Sequence, residues 1–298
     1  MSPRVKAHIA LFLVALIYGA NYTISKVVLD DGYIKPLGFV LMRGICGLVF
    51  FTLVHRLFIK EQIKKKDIGK LILCGIFGVA INQMFFFMGL KLSTPINASL
   101  IMTTTPIIVL IVSAIYIKER ITFRKLLGVL IGASGAIILI LYGEQVAFSK
   151  DRALGDFLIF VNATSYGIYL VLVKSLMKDY NPITVVKWVF TFGIIFVFPF
   201  GINQLTAVEW STFSTHIWIA VAYVLICTTI LAYLFNTYAL KTVQAATVGI
   251  YIYLQPLLAT LIAVIFESDQ LVFLKVISGM LIFIGVYLVS SGKPNFKR

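Results

Sequence analysis

Charge is scarce in this chain. Of its 298 residues only 13% are charged and 60% are hydrophobic, against roughly 25% and 45–50% in an ordinary soluble domain. That balance excludes a water-soluble globule. It also excludes a disordered chain, which needs few apolar residues and many charges. Acid is scarcer than base, 12 Asp and Glu against 26 Lys and Arg, for a formal net charge of +14. Cysteine is limited to Cys46, Cys74 and Cys227, all in apolar stretches where they cannot all pair with one another. A disulfide scaffold is thereby excluded, and the thiols read as inert and buried. The histidines, His8, His55 and His216, and the carboxylates fall in loops or near the ends of apolar stretches. They offer no converging nucleophile, base or metal ligands at membrane depth, so the chain reads as a non-enzyme without metal or cofactor.

What the chain has in abundance is apolar length. Crossing about 30 Å of hydrocarbon takes about 20 residues, and ten stretches qualify: 8–29, 37–58, 69–90, 95–117, 124–142, 153–174, 183–203, 214–238, 244–266 and 272–291. Only short connectors are left over, so the expected fold class is an all-α integral membrane protein of ten transmembrane helices. With the N-terminus inside, eighteen Lys and Arg fall on the cytoplasmic side and five on the other. The positive-inside rule then places both termini in the cytoplasm. The same distribution accounts for most of the +14, and Lys64-Lys65-Lys66 reads as a topology signal with no nucleic acid as partner. The first span resembles a secretory signal in its basic flank, but it contains Asn21 and Lys26 and lacks a small-x-small site, so it reads as uncleaved.

The two halves of the chain align. A shift of 150 pairs Phe85 with Phe235, Lys91 with Lys241, Pro106 with Pro256 and Gly135 with Gly285; a shift of 148 sets Tyr18, Gly19 and Lys26 on Tyr166, Gly167 and Lys174. The halves run 1–146 and 147–298, five spans each. An odd number of spans makes the second copy enter the bilayer from the opposite side, the inverted repeat of many secondary transporters. Together with Tyr18-Gly19-Ala20-Asn21, Arg43, the Glu119-Arg120-Ile121 turn and the glycines Gly128, Gly132 and Gly135, this duplication resembles the EamA-domain proteins of the drug/metabolite transporter superfamily. The resemblance implies a ten-helix carrier of the bacterial inner membrane, often an exporter of amino acids or other small metabolites. The second half departs from it by having Val189 opposite Arg43 and Asp269 opposite Glu119.

Polar side chains deep in apolar helices face other helices or a wet cavity. Pro106 and Pro256 each remove a helical hydrogen bond, and a kink is expected at mid-depth in spans four and nine. The candidate substrate-binding set is Tyr18, Asn21 and Tyr22 in span one, Asn82 in span three, Asn97 and Thr104 in span four, and Asn162, Tyr166 and Tyr169 in span six. Thr229 and Asn236 in span eight and Tyr251 and Gln255 in span nine complete it. For each the competing reading is interhelical hydrogen bonding, and for the threonines bonding back to the kinked backbone. Neutral amides and phenols with aromatic walls suit an amphipathic zwitterion or an aromatic metabolite; with what the resemblance implies, the expected cargo is a small amphipathic metabolite, an amino acid above all, carried by alternating access as exporter or facilitator. A flippase for lipid or lipid-linked intermediates is the alternative. Arg43 is open to snorkelling, to pairing with Asp30 or Asp31, and to binding a carboxylate. Lys26 and Lys174 are expected to snorkel to the headgroups. With no carboxylate central in a span, no proton-relay acid is expected, Glu267 being the main candidate to contradict this. No obligate protein partner is evident; the bilayer and the small-molecule cargo are the expected partners.

Overall fold

The computed structural model describes residues 2–30, 32–143, 150–265 and 273–291. Glu267 and Asp269 lie outside the described residues, which contain no strand. Their helices join end to end into ten rods: α1 (Pro3–Asp30), α2 (Pro36–Ile59), α3 (Lys65–Leu92), α4 (Pro95–Met102, continued by Thr105–Tyr116) and α5 (Phe123–Gly143). These are followed by α6 (Lys150–Leu176), α7 (Pro182–Thr206), α8 (Thr215–Thr242), α9 (Ala245–Ile250, Tyr251–Tyr253 and Leu254–Ile265) and α10 (Phe273–Ser290). Each coincides with one of the apolar stretches. Seven, α1 to α4 and α6 to α8, are long and apolar enough to cross a membrane, and Ala245–Ala259 and Val276–Ser290 are shorter apolar helices.

Local chemistry starts these rods. Pro36, Pro95 and Pro182 occupy first-turn positions, where the missing N–H costs nothing. The side chains of Thr94, Asn181 and Ser214 accept from backbone N–H groups of the turns they open. The first turn of α2 is instead capped across the bundle: Gln204 Oε1 on α7 accepts from Leu37 N at 2.9 Å and Gly38 N at 3.2 Å.

The packing pairs follow the repeat. α1 lies on α8 and α9, as α6 lies on α3 and α4; α2 packs on α7, α5 on α10, and α4 on α9. A Cβ placed on Gly38 would meet Gln204, one on Gly44 Ile194 and one on Gly47 Phe190, so α2 and α7 run antiparallel. Likewise Gly128 lies against Leu288, and Gly135 against Leu281, making α5 and α10 antiparallel. Gly128, Gly132 and Gly135 thus act as close-packing positions.

Both halves also interrupt their helices at matching places. A π-helical segment at Ile76–Ala80 in α3 is matched 150 residues on by one within Val224–Leu231 in α8. The wider turn re-aims backbone carbonyls: Phe77 O accepts from Ser165 Oγ at 2.5 Å and Gly78 O from Tyr233 Oη at 2.5 Å. In α4 the break falls at Thr103–Thr104, just before Pro106, and in α9 at the 3₁₀ turn Tyr251–Tyr253 before Pro256.

Tyr233→Phe would strand the Gly78 carbonyl and an N–H of Gln83. A loss of about 1–3 kcal/mol is expected for each buried group left unpaired, read as a lower Tm of the detergent-purified protein; an unchanged Tm would show the bonds to be dispensable.

Candidate functional site

A cavity of about 520 Å³ lies among α1, α2, α3, α4, α6, α8 and α9. The rod α1 contributes Tyr18, Asn21 and Tyr22, α2 contributes Arg43, and α6 contributes Asn162 and Tyr166. Asn82, Gln83 and Phe86 face it from α3, just past the π turn, with Met102 at the break in α4, Tyr233 on α8 and Gln255 on α9. Spacings of three and four residues put each set on one face of its helix.

The lining is cross-linked by hydrogen bonds between rods. Tyr22 Oη donates to Gln255 Oε1 at 3.0 Å, joining α1 to α9. Asn162 Nδ2 donates to the Asn82 carbonyl at 2.7 Å, joining α6 to α3. Gln83 Nε2 donates to Tyr233 Oη at 2.9 Å, so two positions 150 residues apart, equivalent in the repeat, touch each other. Arg43 Nε donates to Thr229 Oγ1 at 2.9 Å, and its guanidinium carbon lies 4.8 Å from the centre of the Phe87 ring.

Of the residues singled out from the sequence, Tyr18, Asn21, Tyr22, Arg43, Asn82, Asn162, Tyr166 and Gln255 line this cavity. Arg43 neither snorkels nor pairs with Asp30, for it is buried and Asp30 bonds Lys26. Thr229 sits behind the lining, fixing Arg43. Asn236 donates to Tyr166 Oη at 3.0 Å and, with Tyr251, lines a smaller hollow of about 210 Å³. That hollow shares Tyr18, Tyr166 and Gln255 with the main cavity and extends past Val14 and Leu11 toward the end of the bundle where α1 begins. There Tyr251 Oη and His8 Nδ1 share a hydrogen bond of 2.8 Å.

Besides Thr229, three candidates lie outside both linings. Thr104 Oγ1 bonds back to the Ile101 carbonyl at 2.8 Å. Asn97 Nδ2 donates to Asp156 Oδ2 at 3.2 Å. Tyr169 is buried, with its ring against Gly78. Phe86 and Met102 carry no polar signal and were not candidates.

Asp156 lies near the start of its span, as expected, but is not left to solvent. It lies within α6, half-buried, where it accepts from Ser93 Oγ and Asn97. His8 stands at the equivalent place in the first half, 148 residues earlier, so the repeat alignment could have singled out the pair. Neither belongs to the cavity, and among the described residues no carboxylate lines it and no cluster of three His, Cys, Asp or Glu is placed to hold a metal.

The two lysines depart from expectation. Instead of snorkelling, Lys26 Nζ donates to the carbonyls of Leu90, Lys91 and Ser93 at the end of α3, and Lys174 Nζ to those of Leu240 and Val243 at the end of α8. Each holds the C-terminal turn of the matching helix.

Residues 5–141 and 153–291 each match the EamA-like transporter family. The chain belongs to that family. Among its relatives are an uncharacterized transporter, YyaM, of Bacillus subtilis, 26% identical over 96% of this chain and 93% of that protein, and an uncharacterized transporter of Archaeoglobus fulgidus, 27% identical over 96% and 98%. The WAT1-related protein At3g18200 of Arabidopsis thaliana is 24% identical over all of this chain and 85% of its own length. A solved crystal structure of a protein superposes with a TM-score of 0.74 over 96% of this chain and 97% of that one, at 19% identity, which is a likeness of fold. This EamA-like chain is a multi-pass membrane protein, and its cavity offers amide, phenol and guanidinium groups between aromatic walls.

Proposed function

We propose that the chain is a secondary transporter that carries small amphipathic metabolites, amino acids first among them, by alternating access. The observation that carries this reading is the polar cavity at the crossing of seven rods drawn from both halves of an EamA-like chain. All ten rods cross the bilayer in this reading, as two inverted repeats of five. Support comes from the exchange of packing partners between halves and from the antiparallel course of α2 against α7 and α5 against α10. An inverted pair can open its shared seam to either side by rocking one half against the other.

Two polar contacts fit that motion. His8–Tyr251 joins α1 to α9 at the end where the chain begins, and Asp156 joins α6 to Ser93 and Asn97 of the neighbouring loop and α4 at the far end. His8 and Asp156 are equivalent under the repeat, as are the rod pairs α1–α9 and α6–α4, though Tyr251 corresponds to Ile101 and not to Ser93 or Asn97; the two contacts lie at opposite ends of the bundle. Opening either would part a rod of one half from a rod of the other, α1 from α9 or α6 from α4. The Lys and Arg distribution supports cytoplasmic termini, and the bacterial inner membrane is taken as the setting from the family resemblance. Transport is by an exporter or facilitator that needs neither cofactor nor obligate protein partner.

Counterflow tests the reading. Proteoliposomes preloaded with a mixture of the twenty amino acids are expected to accumulate at least one labelled amino acid from outside. Asn162→Ala and Gln255→Ala should cut that uptake by about tenfold or more, one hydrogen bond to a charged ligand group each, while both variants elute as monodisperse protein. Uptake equal to that of protein-free vesicles would sink the proposal.

A further inference from the structure

Arg43 is 4% exposed and borders the cavity. Its protein contacts account for one edge of the guanidinium: Nε donates to Thr229 Oγ1, and the Phe87 ring lies 4.8 Å from its central carbon. Thr229 is itself oriented, since its hydroxyl donates to the Val224 carbonyl at 3.0 Å and so turns lone pairs toward Arg43. Among the described residues no acid answers the charge; the ion pairs there are Lys26–Asp30 and Lys125–Glu119. Arginine stays charged inside proteins, and a buried charge without a partner is costly. The remaining edge of the guanidinium, with its two Nη nitrogens, has the fork geometry that receives two oxygens of one anion.

The same cavity holds acceptors without donors. Asn162 and Gln83 are each 2% exposed, and Asn162 Oδ1 and Gln83 Oε1 have no hydrogen-bond partner. Their amide orientations are fixed by the bonds on the other side. Asn162 Nδ2 donates to the Asn82 carbonyl, and Gln83 Nε2 must donate to Tyr233 Oη because the tyrosine gives its own proton to Gly78 O. One unpaired cation and two unpaired neutral acceptors therefore border one cavity.

We propose that Arg43, held by Thr229, is the seat of a cargo carboxylate, and that the cargo must also carry an N–H donor to satisfy Asn162 and Gln83. This rests on the cavity being the cargo site. It narrows the cargo from amphipathic metabolites in general to small amino carboxylates, and it excludes free amines and organic cations, which Arg43 repels. A phosphate monoester shares the affinity for a guanidinium fork, but its second negative charge has no second cation among the lining residues. A carboxylate is the anion whose single charge matches.

The experiment has two arms on the full chain. In the transport arm, uptake of each labelled amino acid is challenged with its decarboxylated amine and with phenyl phosphate. Both should compete at least about thirtyfold more weakly than the unlabelled amino acid, the value of a buried charged hydrogen-bonded pair at its lower end. Arg43→Met should lower uptake by the same factor. If amine and amino acid compete alike, or phenyl phosphate competes as well as the amino acid, the carboxylate seat is overturned while the transporter reading stands. If wild type takes up no amino acid, the transporter reading fails and the seat with it. The second arm reads thermal stability without cargo. Arg43→Met should melt no lower than wild type, since it removes a charge that has no counterion and leaves Thr229 bonded to Val224. A Tm well below wild type would mark Arg43 as a structural strut and overturn the proposal whatever transport does.

Discussion

Replacing Lys174 by methionine is expected to cost about 3 kcal/mol or more of folding stability, and replacing Lys26 by methionine distinctly less. Lys174 is 5% exposed, and its ammonium supplies donors to the Leu240 and Val243 carbonyls, which close α8 and have no helical partner beyond it. Methionine fills the stem but withdraws the donors, and each buried carbonyl left bare costs about 1–3 kcal/mol. The positive charge at a helix C-terminus is lost as well. Lys26 does the same work on α3 with bonds of 2.9, 3.1 and 3.0 Å, but its side chain is 19% exposed and also pairs with Asp30 at 3.0 Å. Water can reach what its removal exposes. Melting curves from fluorescence-detected size exclusion would rank the two variants. A Lys174→Met protein as stable as wild type, or a Lys26→Met protein that falls further, would refute the assignment of both lysines as helix caps.

That pair of lysines also marks the boundary of what could be read in the sequence. Apolar length fixes where helices run, because a rod that meets lipid has to keep its backbone bonds internal. The apolar stretch 37–58 accordingly reappears as Pro36–Ile59, and 183–203 as Pro182–Thr206. Sequence position gives depth along a rod, however, and very little about which neighbour a polar side chain meets. The sequence places Lys26 and Lys174 at equivalent positions, near the C-terminal ends of the matched helices α1 and α6. Whether they turned outward to headgroups or inward to bare carbonyls depended on the ends of α3 and α8 lying beside them. The cavity candidates divide for the same reason. Thr104 found a carbonyl three residues back on its own helix, Asn97 found Asp156 on a neighbour, and Asn162 kept one unpaired oxygen beside the hollow. All three are polar residues in apolar rods, and only packing separates them. The π turn at Ile76–Ala80 follows Gly75 and contains Gly78, but the matching one in α8 has neither proline nor glycine to announce it. The one in α3 presents the carbonyls of Phe77 and Gly78 that hold Ser165 and Tyr233 in place.

Gly285→Val should be the most disruptive single change in the pair formed by α5 and α10. A Cβ at Gly285 would come within 2.6 Å of the Gly128 carbonyl oxygen and 2.7 Å of both Cα and N of Gly132. These are backbone atoms of a helix, which cannot swing aside as a side-chain end can, so the two rods must separate along this seam. Separation forfeits the close contact that drives helix association in lipid, where no hydrophobic effect compensates. Overpacking a well-filled contact costs about 1–3 kcal/mol and at times more; the upper end is expected here because valine adds two methyl groups to the clash. Gly132 also abuts the Tyr253 ring at the break in α9, so a displaced α5 loosens the wall that carries Gln255. Reduced uptake should therefore accompany the lower Tm. Gly279→Ala is the control, since its Cβ would meet only the Leu257 side chain, at 3.3 Å, and should leave both readings near wild type. If Gly285→Val melts with Gly279→Ala, α5 and α10 do not depend on backbone contact, and the role given to Gly128, Gly132 and Gly285 is wrong.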